Sequence, residues 1–193
     1  MHQRWVVTAL LGAVMMTACG GREEPQTPAP TINQDSIDAA NRARDAAERE
    51  AAERDRLARE AEARRRAEAE ARRMREVLTS NVHFDFDQSA LTSQAEQRLS
   101  EKATILRNYP QVRLRIAGHA DERGSTEYNL ALGQRRAQAV RDFFAAYGLD
   151  GSRFDLVSYG EERPLATGST ESAWAQNRRA EFVITAGDAS LNP

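Results

Sequence analysis

Cysteine, histidine and aromatic residues are scarce in this chain of 193 residues, which contains one Cys, three His and 6% aromatic residues. One cysteine cannot form an internal disulfide framework or a multi-cysteine metal site. Charges nearly balance, with 27 basic and 29 acidic side chains and a net charge of -2. Dedicated nucleic-acid binding is therefore not expected, because it requires a concentrated basic surface. The mean hydropathy of -0.67 argues against a single core that uses the whole chain.

The beginning of the chain has the three parts of an export signal. Arg4 supplies a positive charge, residues 5–16 are mostly apolar, and small residues precede the single cysteine, Cys19. The apolar run is shorter than the ~20 residues that a membrane-spanning helix needs. The segment resembles a bacterial lipoprotein signal, which implies cleavage after residue 18, lipidation of Cys19 and, because Gly20 follows, sorting to the outer membrane. The alternative is that Cys19 is an ordinary small residue within the signal.

Two segments of unusual composition follow. Residues 19–34 are rich in proline and glycine, which predicts an extended, disordered tether. Residues 35–79 are mostly Ala, Arg and Glu, with acidic side chains four residues before basic ones, as at Glu62 and Arg66. Each such pair stabilises an isolated helix by roughly 0.2–0.5 kcal/mol, so we expect a self-supporting helical spacer of about 65 Å. The alternatives are a coiled coil with an alanine seam and a basic surface for anionic polymers.

Apolar residues become dense only after Val77. Residues 80–187 are therefore predicted to form a globular domain, followed by a short tail of residues 188–193. Apolar residues that alternate with polar ones predict strands with one buried face, and residues 154–159 form a less regular strand. The residues predicted to face the core from the regular strands are Val82, Phe84, Phe86, Val112, Leu114, Ile116, Ala180, Phe182 and Ile184.

Helical patterns separate the predicted strands. Ser93 and Glu96 form a capping box at the start of one helix, and a longer helix is predicted over residues 126–147. Strands with one apolar face, interleaved with helices, predict an α/β two-layer sandwich. The long charged helix of residues 35–79 precedes this sandwich.

One arginine lies on the apolar stripe of the longer helix. Arg136 shares this stripe with Leu132, Val140 and Phe143. A partly buried guanidinium is costly unless an anion from the protein or from a ligand pairs with it. Asp121 is a candidate partner, because it lies in the loop before this helix, where binding groups collect in such sandwiches. The two residues form either an internal salt bridge that fixes the loop or a site that binds a ligand.

Several ordered motifs within residues 81–185 resemble the OmpA-like peptidoglycan-binding domain. The resemblance implies a βαβαβ-type fold with a mixed sheet. The matching residues are Phe84-Asp85-Phe86-Asp87, Gly118-His119-Ala120-Asp121-Glu122-Arg123-Gly124, Tyr128-Asn129, Leu132-Gly133, Arg136-Ala137, Val140, Ser158-Tyr159-Gly160-Glu161, Pro164 and Asn177-Arg178-Arg179-Ala180.

The resemblance also implies a ligand and the residues that bind it. Members of this family bind the diaminopimelate side chain of the peptidoglycan stem peptide. At the matching positions, Asp121 would hold the ammonium group of diaminopimelate, and Arg136 would hold its carboxylate. An amino-acid zwitterion needs such a fixed acid and base, and an Arg fork can hold a carboxylate through two bonds. Asn129 would be a neutral hydrogen-bonding partner, and Asp87 would be a further contact.

The other polar residues near the loop are expected to have structural roles. A structural role in the loop is at least as well supported for His119 as a contact with the ligand. For Arg178 and Arg179, a surface salt bridge is favoured over a contact of one of them with the ligand. We expect no catalytic residues, because His119, Asp121 and Ser125 share one short loop, which rarely gives three groups the geometry of a triad. No spacing signature supports a metal site, and we expect no cofactor.

The resemblance and the export signal together imply an outer-membrane lipoprotein whose domain lies in the periplasm. Such a protein would bind peptidoglycan without a covalent bond and tether the outer membrane to the cell wall, with a role in envelope integrity and cell division. The implied partners are peptidoglycan, the outer membrane through the lipid anchor, and proteins of the Tol system such as TolB. The alternative is another envelope lipoprotein of the family that acts as a spacer or a protein-binding module.

Overall fold

The computed structural model describes residues 33–191. The predicted signal of residues 1–18 and the predicted lipidation site Cys19 lie outside the described residues, as does most of the predicted tether. The chain divides into two units between Ala51 and Ala52. Within the described part, the first unit is the beginning of helix α1 (Gln34–Thr79), and the second unit contains the rest of the chain.

Helix α1 is the charged helix that the sequence predicts. All of its residues up to Arg66 are exposed to solvent. The predicted pair of Glu62 and Arg66 is present, and the structure adds pairs in which the basic residue comes first, such as Arg64 with Glu68 at 2.7 Å. Within residues 33–191, no helix combines the length and the apolar character needed to cross a membrane.

Four strands form one mixed sheet. They are β1 (Val82–His83), β2 (Arg113–His119), β3 (Phe154–Gly160) and β4 (Arg179–Ala186), in the spatial order β1-β4-β2-β3. Strands β2 and β3 are parallel, whereas β4 is antiparallel to both β1 and β2. The mixed sheet agrees with the predicted fold class.

The helices complete the sandwich. Helices α2 (Ser93–Asn108) and α3 (Thr126–Ala146) pack their apolar residues against the sheet, and the short helix α4 (Glu171–Asn177) precedes β4. Two 3-10 turns lie at Gly151–Arg153 and Asp188–Leu191. The shared core includes Leu99, Leu106, Leu114, Ile116, Val140, Phe144, Phe154 and Phe182.

The structure differs from the predicted elements at several points. Strand β1 ends at His83, so Phe86 is not a core residue and is 54% exposed. Helix α2 is capped by Thr92 rather than Ser93, since the Thr92 side chain accepts a hydrogen bond from the backbone N of Ala95. On α3, Phe144 is fully buried, whereas the predicted Phe143 is partly buried and packs against the core.

The packed unit also extends past both predicted domain boundaries. Leu78, near the end of α1, and Leu191, in the predicted tail, are both fully buried in the domain core. Arg75 forms a salt bridge of 2.6 Å with Asp188, which joins these two segments at the surface. The last turns of α1 therefore belong to the domain rather than to the spacer.

Candidate functional site

Helix α3 lies against strand β2 at a contact between two glycines. A Cβ atom on Gly118 would lie 1.8 Å from the backbone O of Gly133, so a larger residue does not fit. This contact brings the first half of α3 under the loop that follows β2. Ser125 caps α3 there, because its hydroxyl accepts a hydrogen bond from the backbone N of Tyr128 at 3.2 Å.

A cavity of about 230 Å³ lies between this loop and α3. It is lined by all four residues that the sequence assigned to ligand binding: Asp87, Asp121, Asn129 and Arg136. The remaining lining residues are Phe86, Ala120, Arg123, Gly124, Tyr128 and Leu132. The structure therefore brings together residues that lie as much as 49 positions apart, from 87 to 136.

Arg136 is held by backbone carbonyl groups. Its guanidinium donates to the backbone O atoms of Gln88 at 2.8 Å, His119 at 2.6 Å and Asp85 at 3.1 Å. It also lies 5.1 Å from the centre of the Phe84 ring. Burial lowers its pKa to about 10, which leaves the group protonated at neutral pH. Three of its five N–H donors are engaged, so two are left for a further acceptor.

Asp121 is also buried, at 4% exposure, but its partners are side chains. Arg123 donates to it from Nε at 3.0 Å and from Nη2 at 2.8 Å, and Arg178 donates from Nη1 at 3.3 Å. Burial alone would raise the pKa of the Asp121 carboxyl, but the hydrogen bonds from Arg123 and Arg178 outweigh it and hold that pKa below its ordinary value. The carboxylate is therefore ionised at neutral pH.

These contacts do not include a salt bridge between Asp121 and Arg136, which was one of the two alternatives that the sequence left open. Asp121 pairs instead with Arg123 and Arg178. Arg178 is 7% exposed, so the predicted surface salt bridge of this residue is wrong. Arg136 does not need an anion from the protein, because the dipoles of three backbone carbonyl groups stabilise its charge. The sequence did signal a role for Arg178, since it lies in the motif Asn177-Arg178-Arg179, but its distance of 57 positions from Asp121 hid the contact.

The other two predicted residues have partners that limit their roles. The side-chain amide of Asn129 donates from Nδ2 to Glu161 at 2.6 Å and to the backbone O of Arg123 at 3.3 Å. Because both Nδ2 hydrogens are engaged, Asn129 would contact a ligand through its Oδ1 acceptor. Asp87 has a positive φ of 55°, and its carboxylate accepts a hydrogen bond from the hydroxyl of Tyr128.

Arg123 is a site residue that the sequence reasoning missed. Its guanidinium lies between two aromatic rings, 3.9 Å from the centre of Phe86 and 4.1 Å from that of Trp174. Glu122 orients Trp174, since its carboxylate accepts a hydrogen bond from the indole N at 3.1 Å. The exposure of Phe86 is thus explained by this stack, for which the alternating pattern of the strand gave no signal.

His119 has a structural role in this arrangement. Its backbone O accepts from Arg136, while its buried ring packs against Tyr159, with the ring centres 5.5 Å apart. Across residues 33–191, no three His, Cys, Asp or Glu side chains cluster in a way that could hold a metal ion.

Comparison with known proteins matches part of this chain to one protein family. Residues 83–178 match the OmpA family. The peptidoglycan-associated lipoproteins of Brucella melitensis and Pseudomonas aeruginosa are 52% and 48% identical to this chain over 103 residues. In each case the match covers 53% of this chain and 61% of the relative. The chain therefore aligns with about three fifths of the length of these curated relatives.

Solved structures show the same fold. The crystal structure of the peptidoglycan-associated lipoprotein from Burkholderia pseudomallei is 45% identical, with a TM-score of 0.53, and the match covers 54% of this chain and 89% of that one. The C-terminal domain of Helicobacter pylori MotB has the same TM-score of 0.53 at 22% identity, over 57% of this chain and 89% of that one. At that identity the second likeness concerns the fold alone.

Proposed function

Because this chain belongs to the OmpA family, we propose that it is an envelope lipoprotein that binds peptidoglycan without a covalent bond. The ligand is the diaminopimelate side chain of the stem peptide, and its binding tethers the outer membrane to the cell wall. The relatives named peptidoglycan-associated lipoprotein support the general assignment. The cavity supports the ligand, because its charged groups match the end of that side chain.

A buried acid and a buried base that line one small cavity carry this proposal. The end of diaminopimelate has an ammonium and a carboxylate on one carbon, so it needs an anion and a cation at short range. Asp121 takes the ammonium, and Arg136 takes the carboxylate with its two remaining N–H donors. Both groups are held by the surrounding chain, so little ordering is required when the ligand binds.

Two further residues, Asn129 and Asp87, contact the ligand. Asn129 accepts a hydrogen bond from the ligand ammonium through Oδ1, because Glu161 and the backbone O of Arg123 engage its two amide hydrogens. Asp87 contributes a second carboxylate at the cavity wall, where Tyr128 fixes its orientation. Diaminopimelate has two charged ends but an apolar chain between them, and Leu132 and Phe86 offer apolar wall for this part.

The membrane anchor of the proposal is Cys19. Lipidation of this residue would hold the chain in the outer membrane, with the domain in the periplasm. Each buried methylene of an acyl chain contributes ~0.8 kcal/mol, so two or three chains anchor a protein firmly. Cys19→Ser should abolish metabolic palmitate labelling and release the protein from the outer-membrane fraction. An unchanged fractionation with unchanged labelling would contradict the anchor.

Binding of Tol system proteins such as TolB, with a role in envelope integrity and cell division, is the second part of the proposal. It rests on the family alone. The alternative function is that of an envelope spacer or protein-binding module. A catalytic role is the third possibility, and digestion of purified sacculi with an assay for soluble fragments would reveal it. We expect no fragments to be released.

A binding assay on sacculi tests the proposed ligand. The chain with Cys19→Ser should sediment with purified sacculi, and millimolar free diaminopimelate should release it. Asp121→Asn should weaken sacculus binding by roughly tenfold or more, because truncating one member of a buried charge pair costs ~2–5 kcal/mol. Asp155→Asn, the same change at an exposed position on β3, is the control and should bind normally. Sedimentation that free diaminopimelate does not compete would contradict the proposed ligand.

A further inference from the structure

The carboxylate of Asp121 has no hydrogen-bonding capacity left. It receives four hydrogen bonds: from Arg123 through the backbone N at 3.2 Å, Nε at 3.0 Å and Nη2 at 2.8 Å, and from Arg178 through Nη1 at 3.3 Å. A carboxylate accepts about four such bonds. A ligand ammonium therefore cannot be added to Asp121 and must replace one of the donors already present.

The two arginines differ in how firmly they are held. The Arg178 side chain is 8% exposed and is bound at two further points, by the backbone O of Phe84 at 3.1 Å and by Glu171 at 2.8 Å. The Arg123 side chain is 30% exposed and lines the cavity wall. Arg123 is therefore the donor that a ligand can displace, whereas Arg178 stays in place as the permanent partner of Asp121.

The surroundings of Arg123 offer it a second position. Its guanidinium carbon lies 3.9 Å from the centre of the Phe86 ring and 4.1 Å from that of Trp174, and such cation–π contacts do not require particular N–H groups to point at Asp121. The carboxylate of Glu171 lies 3.8 Å from its Nη1 atom. When Arg123 leaves Asp121, it can form a closer ion pair with Glu171 without leaving the aromatic stack.

We propose that Arg123 holds the position on Asp121 that the ligand's ammonium takes, and that binding exchanges one cation for the other. This inference rests on the proposed function, since it concerns the same site. It makes Arg123 a residue that sets the affinity of the site for a ligand ammonium. A ligand side chain that carries an ammonium group replaces the hydrogen bonds that Arg123 donated to Asp121. A side chain that lacks the ammonium cannot, so Arg123 stays on Asp121 while such a side chain binds.

Binding of two synthetic stem peptides to the Cys19→Ser chain tests the exchange. One is the tripeptide L-Ala-γ-D-Glu-diaminopimelate, and the other has 2-aminopimelate in the third position, so that its side chain ends in a carboxylate without the ammonium. Arg123→Met removes the competing charge but keeps a flexible side chain between the two rings. Arg163→Met is the control, because the Arg163 guanidinium also stacks on a ring, 3.8 Å from the centre of Tyr159, outside the cavity.

The exchange predicts a gain that depends on the ligand. In calorimetric titration, the Arg123→Met variant should bind the diaminopimelate peptide at least about fivefold more tightly than the chain with Arg123. The reason is that the hydrogen bonds from Arg123 to Asp121 no longer have to be broken. Its affinity for the aminopimelate peptide should change by less than about twofold, since no ammonium reaches Asp121. Arg163→Met should change neither affinity. Urea unfolding of each variant shows whether it is folded.

Three results would overturn the exchange while leaving the proposed function intact. Weaker binding of both peptides by Arg123→Met would show that Arg123 contacts the ligand directly. An equal gain for both would show that it only blocks the cavity, and no change would show that it does not compete. Arg123→Leu, which also removes the charge, gives the same decision should Arg123→Met not fold. If no variant binds the diaminopimelate peptide, the proposed function and the exchange both fail.

Discussion

The ammonium of Lys102, in helix α2, donates to the backbone O of Leu78, in the last turns of α1, at 3.0 Å. The same Nζ atom also donates to the backbone O of Val77 and to both the backbone O and the hydroxyl of Ser80. The last carbonyl groups of a helix have no partner within the helix and attract positive charge. Lys102, the only lysine in the chain, thus fixes the end of α1 to the domain.

Lys102→Met should destabilise the domain by roughly 2–4 kcal/mol, because it leaves several buried carbonyl groups without a donor. Burial lowers the pKa of Lys102 to about 7, so the cost of burying its charge falls as the pH rises above 7, and urea unfolding is best measured at pH 9. Arg107→Met, an exposed change on the same helix, is the control and should alter the free energy of unfolding by less than about 0.5 kcal/mol. Equal midpoints for the two variants would contradict the role of Lys102.

His119 should make the stability of the domain depend on pH. Its ring is 1% exposed, and burial lowers its pKa to about 4 from the usual 6.5, with Arg179 adding to this effect and Glu181 opposing it. Between pH 6.5 and 4 the unfolded chain binds a proton at this residue and the folded chain does not. Stability should therefore fall by up to about 3 kcal/mol as the pH is lowered through this range.

The His119→Gln variant isolates this effect. It should lose most of the pH dependence between pH 6.5 and 4, while the carboxyl groups with a lowered pKa, such as Asp121, contribute mainly at lower pH. His83→Gln is the comparison, because His83 is an exposed residue on β1 and should contribute less. Unfolding curves that keep the same pH dependence in His119→Gln would show that another group is responsible.

Helix α1 should be stable as an isolated peptide at low salt. A peptide of residues 35–80 is expected to be strongly helical and monomeric, because paired charges such as Arg64 and Glu68 stabilise it and its first half makes no buried contact within the described chain. Salt at 1 M should lower the helical content by screening the pairs. Circular dichroism at several peptide concentrations is the measurement. Helicity that rises steeply with concentration would indicate a coiled coil instead.

The sequence predicted the fold well where a local pattern carried it. Alternation of apolar residues located β2 and β4, and composition located α1. It failed where tertiary contacts override a local pattern. Phe86 continues the alternation of Val82 and Phe84, yet it stacks on Arg123 rather than entering the core. The short helix α4 was missed, because seven residues are too few for a helical period to stand out.

In the site, too, local patterns were predictable and tertiary contacts were not. The four predicted residues line one cavity: Asp121 follows β2, Asn129 and Arg136 lie on α3, and Asp87 follows β1. Their partners were not predictable. Arg136 finds its acceptors on backbone carbonyl groups, and no pattern of side chains indicates which carbonyl a fold will present. Asp121 pairs with Arg178 only because β4 lies beside β2 in the sheet.

Recognition of a zwitterion by Asp121 and Arg136 is tested most directly by changing the ligand rather than the protein. Three stem tripeptides, with diaminopimelate, 2-aminopimelate or lysine in the third position, present both charges, the carboxylate alone or the ammonium alone. In calorimetric titration of the Cys19→Ser chain, we expect the diaminopimelate peptide to bind at least about tenfold more tightly than each of the others, because each lacks one buried charge contact. If the aminopimelate peptide bound as tightly as the diaminopimelate peptide, the assignment of Asp121 to the ammonium would be contradicted. If the lysine peptide did so, the assignment of Arg136 to the carboxylate would be contradicted.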